Sequence, residues 1–266
     1  MIDITIITVV KNDVNGIKRT LESIYSQSFS NYEHIIIDSN SSDGTSELIK
    51  KKINQKSFYL RENDNGIYDA INKGVKLAKG KYIGLLHSGD IFSSNDILSI
   101  VFKNLDGLDF VFGNTVFFKF NQIYRLWEFK LPKKKFFNPF KVAHTSLFIK
   151  KKIIKDLNFY NQNYNISSDL DFLIKLSKNK FNYQKIEIFL VFMKLGGLSS
   201  SVKNYVRKFN EDIHILTKHY SYLSLLFYIY KILIKFRGFL FYKNNLKIIQ
   251  LQNQLINLIK KLDIEN

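Results

Sequence analysis

Four carboxylates stand where this chain's pattern leaves them free to act. Asp38 closes the apolar run from Tyr32, Asp64 lies in the polar turn Arg61 to Gly66, Asp90 follows the apolar run Lys81 to Leu86, and Asp169 sits in Ser167-Ser-Asp-Leu-Asp-Phe172. An acid at the carboxyl end of a buried strand can accept hydrogen bonds from a ribose or a base. An acid next to a glycine at a sheet's edge, as Asp90 is next to Gly89, is more than a solvated loop acid, because the glycine lets a ligand approach the backbone. An acid at the start of a helix can take the proton of a hydroxyl nucleophile. It can equally cap the helix: Ser168 and Asp169, ahead of a helix from Leu170 to Lys178 with the buried face Phe172, Leu173 and Leu176, suit both roles. Asp171 reads as a first-turn acid favoured by the dipole. His144 opens the apolar stretch His-Thr-Ser-Leu-Phe-Ile, read as a strand.

The elements that must position these residues alternate regularly. Ile4 to Val10 is an unbroken apolar strand, and Asn12-Asp13 opens a helix with Ile17, Leu21, Ile24 and Tyr25 at helical spacing. Tyr32 to Asp38 is a second strand, followed by the turn Ser39 to Thr45 and a helix through Lys52. A short strand, Phe58 to Leu60, a helix, Ile67 to Ala78, and the strand Lys81 to Leu86 complete the series. This rhythm gives right-handed βαβ units and a parallel sheet, whose carboxyl edge is where open α/β sheets bind ligands. The turn after Asp38 reads either as that edge or as an N-cap with Asx-turns. No GxGxxG follows the first strand, which argues against a dinucleotide site and leaves a mononucleotide half open.

Taken in order, Ile4 to Val9, IIIDSNSSDGT at 35–45, ENDNGIYDAINKG at 62–74, GKYIGLLHSGD at 80–90, HTSLF at 144–148, SSDLDFLIKL at 167–176 and GGLS at 196–199 resemble glycosyltransferase family 2. Within it they look closest to bacterial enzymes that build surface polysaccharides. The resemblance covers residues 1–215 and implies a GT-A type α/β fold, a mostly parallel sheet flanked by helices. Its nucleotide-sugar half would span about 1–100 and its acceptor half about 101–215. It implies an inverting transfer of one sugar from a nucleotide-sugar donor, a UDP-sugar, to a lipid-linked or saccharide acceptor. Carried over residue by residue, Asp38 matches the acid that contacts the uridine and Asp64 a second acid near base and ribose, with Thr8, Val10 and Ser88 on the nucleotide side. His87 and Gly89 occupy the two positions of the family's metal-binding Asp-x-Asp, and Asp90 follows, so Asp90, with His87, is the expected holder of Mn²⁺ or Mg²⁺. Asp169 matches the catalytic base, although Ser168 replaces the Glu that usually precedes it. His144, Gly197 and Ser199 match contacts to diphosphate or acceptor.

The net charge of +17 is unevenly placed: residues 1–100 hold twelve Lys+Arg and twelve Asp+Glu, and residues 101–266 hold 28 and 11. The loop Pro132 to Lys141 interleaves Lys133, Lys134, Lys135 and Lys141 with Phe136, Phe137 and Phe140, a pattern suited to nucleic acid or to an anionic membrane. From Tyr220 to Tyr242, Ser224, Tyr228, Lys231 and Lys235 share one helical sector opposite Leu223, Leu226, Phe227, Tyr230, Leu233 and Ile234. That is an amphipathic helix, expected to lie on an anionic leaflet unless its apolar face is buried in the core. Ile248, Leu251, Leu255, Leu258 and Leu262 form a short heptad stripe in the C-terminal segment 216–266, open to pairing with the preceding helix or in a homodimer. Gln122 to Trp127 nearly spells QxxRW but lies before Asp169, and Phe117 to Phe129 reads as a hairpin turning at Asn121-Gln122.

There is no Cys, so disulfides are excluded, and MIDITIITVV lacks the basic region and cleavage site of a signal peptide. The expectation is a cytoplasmic protein, peripheral at the inner face of the cell membrane, with no nucleic-acid partner. The alternative is a non-catalytic basic module for anionic membrane or nucleic acid, which would have no use for four acids converging at strand ends. A nucleotidyltransferase would carry a Gly/Arg/Lys-rich phosphate loop near its N-terminus, which is absent.

Overall fold

Strand β1 (Ile4–Val10) is buried along its whole length, as its uninterrupted apolar run requires. The computed structural model describes residues 2–128, 137–196, 204–240 and 246–264. It places β1 between β2 (Tyr32–Asp38) and β4 (Tyr82–Leu85), both parallel to it, with β3 (Ser57–Arg61) parallel outside β2. The crossovers are α1 (Val14–Tyr25), α2 (Thr45–Lys52) and α3 (Ile67–Leu77). Beyond β4 the sheet continues through β8 (Leu147–Lys150), β6 (Phe110–Lys119), β9 (Tyr183–Lys194) and β5 (Ile91–Phe92), and β7 (Gln122–Trp127) pairs with β6. Only β8, β7 and β5 run against the others, so the nine-stranded sheet is mostly parallel, as expected. Helices α4 (Ile97–Asn104), α5 (Lys151–Asp156), α6 (Ser168–Ser177), α7 (Tyr205–Tyr220), α8 (Ser224–Leu240) and α9 (Leu246–Ile264) flank it.

Several expectations are corrected by packing. His144 does not open a strand: residues His144–Ser146 form a 3₁₀ turn, closed by the Ser146 N–H on the Ala143 carbonyl, and β8 starts at Leu147. The hairpin turns one residue early, at Phe120-Asn121, both with positive φ, leaving Lys119 paired with Gln122. Arg125 lies over the rings of Phe117 and Trp127, so the QxxRW-like stretch is a cation–π stack on the sheet. Phe137 and Phe140 are core residues and not interfacial ones, while 133–136 lie outside the described residues.

The C-terminal helices also differ from expectation. Leu251, Leu255, Ile259 and Leu262 of α9 are buried against Ile91, Val116, Phe118 and Phe192 of the sheet, so most of the expected stripe is covered by the sheet and not by α8. Gln252 and Gln254 bond to the β6–β7 turn and to Ser93, and Asp263 holds Arg19 of α1. In α8 Lys231 of the polar sector is buried in an ion pair with Asp212 of α7 at 2.6 Å. Of the apolar sector, Ile234 is buried with Phe227 packed beside it and Tyr230 meets Asn138 and the Phe140 ring, while Leu226 and Leu233, with Leu225 and Ile229, are exposed.

One buried group gives the fold a pH dependence. His34 in β2 is fully buried with Nε2 2.8 Å from the Thr8 hydroxyl, and burial lowers its pKa to about 3. Between that value and about 6.5 the unfolded chain binds a proton that the native state refuses, so stability falls as pH drops through this window. His34→Gln is expected to remove about 2 kcal/mol of the stability lost between pH 7 and pH 5, read as a smaller difference in Tm between the two pH values.

Candidate active site

After β4 the chain turns through Leu86 to Asp90 at the carboxyl edge of the sheet, and Thr20 of α1 fixes the turn. Its Oγ accepts the Gly89 N–H at 2.9 Å and lies 2.8 Å from the Asp90 carbonyl, to which it donates. Gly89 has φ +91°, and a Cβ there would overlap the Lys194 side chain, which lies across the turn. The main-chain N–H of Lys194 donates to Asp90 Oδ1 at 2.8 Å, and Oδ2 is buried with no partner. Asp90 is only 3% exposed, and burial pushes its pKa up to about 7 against the pull of the Lys194 N–H.

His87 leads away from this turn toward Asp169. Its Nε2 is 2.9 Å from His144 Nε2, and its Nδ1 is buried without a partner. Burial lowers its pKa to about 3, so His87 is neutral. On its other side His144 presents Nδ1 to Asp169 Oδ2 at 3.4 Å, and the Tyr68 hydroxyl lies 3.1 Å from Asp169 Oδ1 and 2.8 Å from the Ile166 carbonyl. With Nδ1–H of His144 directed at the carboxylate, the proton shared by the two Nε2 atoms comes from His87 when His144 is neutral. Asp169 does not cap its helix, whose N-cap position is Ser167, and its side chain is 32% exposed. Burial raises its pKa, but the hydrogen bond and charge of His144, with Lys208 and Lys231 behind, outweigh that and hold the carboxylate well below the usual range. Asp171, expected to be a simple first-turn acid, is fully buried against Lys175, Lys218 and His219.

The expected cation site is not met by this donor set. Asp90 and His87 each keep a buried, unpartnered atom, but their other atoms are committed to Lys194 and His144, and both side chains point inward. Among the described residues no group of three His, Cys, Asp or Glu is placed to hold a metal ion.

The nucleotide side is also partly corrected. Asp38 is fully buried, and its oxygens accept from Ser41 N–H (2.9 Å) and from the hydroxyls of Ser41 (2.6 Å), Ser46 (2.5 Å) and Tyr59 (2.8 Å). Burial raises its pKa, and these bonds overcome that and lower it. It orders the loop after β2 and has no face left for a ribose. Thr8 is likewise spent, bonding the Leu86 carbonyl and His34, and the Val10 carbonyl accepts from Ser39 N–H. Asp64 stays half-buried in the loop before α3, with Oδ1 accepting from Gly66 N–H. Ser88 donates to Asp13 Oδ2 at 2.9 Å. Gly197 and Ser199 lie outside the described residues.

Five residues at this edge escape a reading of sequence: Asp13, Thr20, Tyr68, Lys194 and Glu211. Tyr68 lies inside the motif at 62–74, but its helical spacing reads as core. Glu211 of α7 accepts the backbone N–H groups of Asn165 (3.0 Å), Ile166 (2.9 Å) and Ser167 (3.0 Å), fixing the approach to Asp169 from a helix remote in sequence.

Comparison with known proteins places this geometry. The model of the family "Glycosyl transferase family 2" matches residues 5–158. An uncharacterized glycosyltransferase of Methanocaldococcus jannaschii is 30% identical over 222 residues, covering 79% of this chain and 73% of that one. The "PGL/p-HBAD biosynthesis glycosyltransferase" of Mycobacterium bovis is 25% identical over 190 residues, 68% of this chain and 73% of that one. Among solved structures, S. aureus TarS 1–349 in complex with UDP-GlcNAc superposes with TM-score 0.64 at 17% identity, covering 98% of this chain and 80% of that chain. The mannosyltransferase PcManGT of Pyrobaculum calidifontis, in complex with GDP-Man and Mn²⁺, gives 0.58 at 14% identity over 99% and 75%. In a longer TarS structure the chain spans 39% of the length. These likenesses show a GT-A glycosyltransferase fold.

The orientation of Asp169 by His144 is open to measurement. His144→Gln removes the charge and hydrogen bond that outweigh burial, so the carboxyl pKa of Asp169 is expected to rise, read by carboxyl-carbon NMR titration. An unchanged value would mean that His144 does not set the acid's ionisation.

Proposed function

Because the chain belongs to glycosyl transferase family 2, we propose that it moves one sugar, with inversion, from a UDP-sugar to a lipid-linked acceptor used in surface polysaccharide synthesis. The observation that carries this reading is Asp169: an ionised, part-exposed carboxylate at a helix start, held by Tyr68 and His144 at the edge where the sheet receives ligands. The UDP and UDP-GlcNAc complexes of TarS support the donor class.

In the transfer the acceptor O–H proton passes to Asp169 while the acceptor oxygen bonds to the anomeric carbon. The bond from that carbon to the phosphate oxygen breaks, and its electron pair leaves with the diphosphate. A base kept well below neutral pKa is a weak base, so its contribution is to accept the proton late, as the oxygen acquires charge. Tyr68 and His144 keep it oriented meanwhile. Family membership and the Mn²⁺ in the PcManGT structure support use of a divalent cation, and the inward-facing carboxyl of Asp90 is not placed to hold it. Asp64, part-exposed in its loop, is the acid left to meet the base or ribose. The basic, non-catalytic module is disfavoured by the family match.

The acceptor side supports a membrane setting at the cytoplasmic leaflet. The described helices include none long and apolar enough to cross a membrane. Instead α8 turns Lys231 inward and Leu225, Leu226, Ile229 and Leu233 outward, while Tyr205, Val206 and Phe209 of α7 are exposed as well. An outward apolar helix face of this kind suits the headgroup–acyl boundary of a bilayer. The same pair of helices carries Lys208 and Lys231, whose charges reach Asp169, so an acceptor held at the bilayer would lie beside the base.

Two experiments test this. Asp169→Asn is expected to lower kcat by about 10² or more while UDP affinity changes less than about twofold; an equal loss of affinity would make Asp169 structural. Leu226→Glu with Ile229→Glu is expected to release the protein from phosphatidylglycerol vesicles in a flotation assay with its circular dichroism unchanged. Undiminished flotation would remove α8 as the docking face.

A further inference from the structure

We propose that Lys194 is the cation that receives the donor's diphosphate, an inference that rests on the nucleotide-sugar reading. The departing diphosphate needs a counter-charge at the strand-end turn, and the acids and histidines there do not offer one. Asp90 and His87 keep their unpartnered atoms buried, away from the mouth of the turn.

Lys194 is built to reach that place. It ends β9, and its N–H is tied to the Asp90 carboxyl, which sets the residue directly against the turn. Gly89, with no Cβ and a left-handed φ, leaves the room through which the Lys194 methylenes cross. A side chain at position 89 would displace them. The ammonium emerges beyond the turn, 3.1 and 3.3 Å from the two oxygens of Asp13, which also accepts from the Ser88 hydroxyl. It thus stands at the edge formed by the ends of β1 and β4, the place where sheets of this kind bind phosphate esters.

The pair with Asp13 is a holding contact. The Lys194 side chain is 42% exposed and that of Asp13 28%, and exposed pairs of this kind contribute little to stability. A diphosphate with more than one negative charge can take the ammonium from a single carboxylate. Released from Lys194, Asp13 keeps its other partners, Ser88 and the Gly16 N–H it caps. In the transfer the electron pair of the broken carbon–oxygen bond goes to the terminal phosphate oxygen, and Lys194 stabilises that charge without giving up a proton. Lysine suits the task as a compact point charge on a flexible stem.

The test compares UDP with uridine by ligand-observed NMR titration in EDTA, on the full chain and on Lys194→Met, which keeps an unbranched stem over Gly89, and Lys194→Arg. The intact protein is expected to bind UDP at least about tenfold tighter than uridine; Lys194→Met should lose about tenfold for UDP and nothing for uridine, and Lys194→Arg should fall between. The proposal is overturned if Lys194→Met binds UDP as the intact protein does, if it loses both ligands equally, or if the preference for UDP appears only with added Mn²⁺. If the intact protein binds neither UDP and uridine nor GDP and guanosine, with or without Mn²⁺, the donor reading falls first and takes this proposal with it.

Discussion

Parallel pairing of β1 with β2 on one side and β4 on the other is the constraint from which the site follows. Parallel neighbours joined by helical crossovers must all finish at one edge, so the segments after Val10, Asp38 and Leu85 are brought together by main-chain hydrogen bonds. The antiparallel strand β8 completes the arrangement. Because Gly84 pairs with Phe148 and Tyr82 with Lys150, β8 begins where β4 ends, and the residues just ahead of it, His144 included, fall at the same edge. The His87–His144 contact is therefore a consequence of sheet register, and the two imidazoles need no long excursion of either backbone.

The flank around Asp169 is held by charge and not by sheet register. Asp212 is buried between Lys231 and Lys208, and Asp171 between Lys175, Lys218 and His219, while Glu211 accepts three backbone N–H groups of the segment before α6. Desolvated carboxylates of this kind are costly unless fully paired, and losing one partner of such a pair typically costs about 3–5 kcal/mol. That asymmetry fastens α7 to α8 on one flank and to the Asp169 turn on the other. A helix pair that leaves apolar side chains exposed is thereby made part of the wall around Asp169.

The N-terminal half was legible because local and non-local signals agree there. The apolar run at 4–10 and the expected strand at 32–38 coincide with strands, and the helix starts at Asp13 and Gly66 follow from turn chemistry. Side-chain direction at strand ends was not legible. Asp38 reads as a ligand-facing acid from position alone, yet Ser41, Ser46 and Tyr59 turn it inward, and only the assembled β2–α2 loop and β3 bring those hydroxyls together. The same limit applies to α8. Its periodicity separates a polar from an apolar sector, but each meets the protein in part, Lys231 through Asp212 of another helix and Ile234 through the cluster around Phe140 and Leu216. Lys194 carries no signal in sequence, since its role depends on the absent side chain of Gly89.

The strand-end turn is quiet within and charged without. His87 is neutral, Asp90 has its pKa near 7, and each keeps a buried atom with no hydrogen-bond partner, as does the Ser168 hydroxyl beside Asp169. Such atoms cost about 1–3 kcal/mol apiece and persist only where the surrounding structure over-determines them. Here β1, Thr20 and the N–H of Lys194 supply that insistence. With the inner groups close to neutral, the field at the mouth of the turn is set by Lys194 and Asp13. Those are the groups that an incoming diphosphate would rearrange, and neither the sheet nor the turn has to move for them to do so.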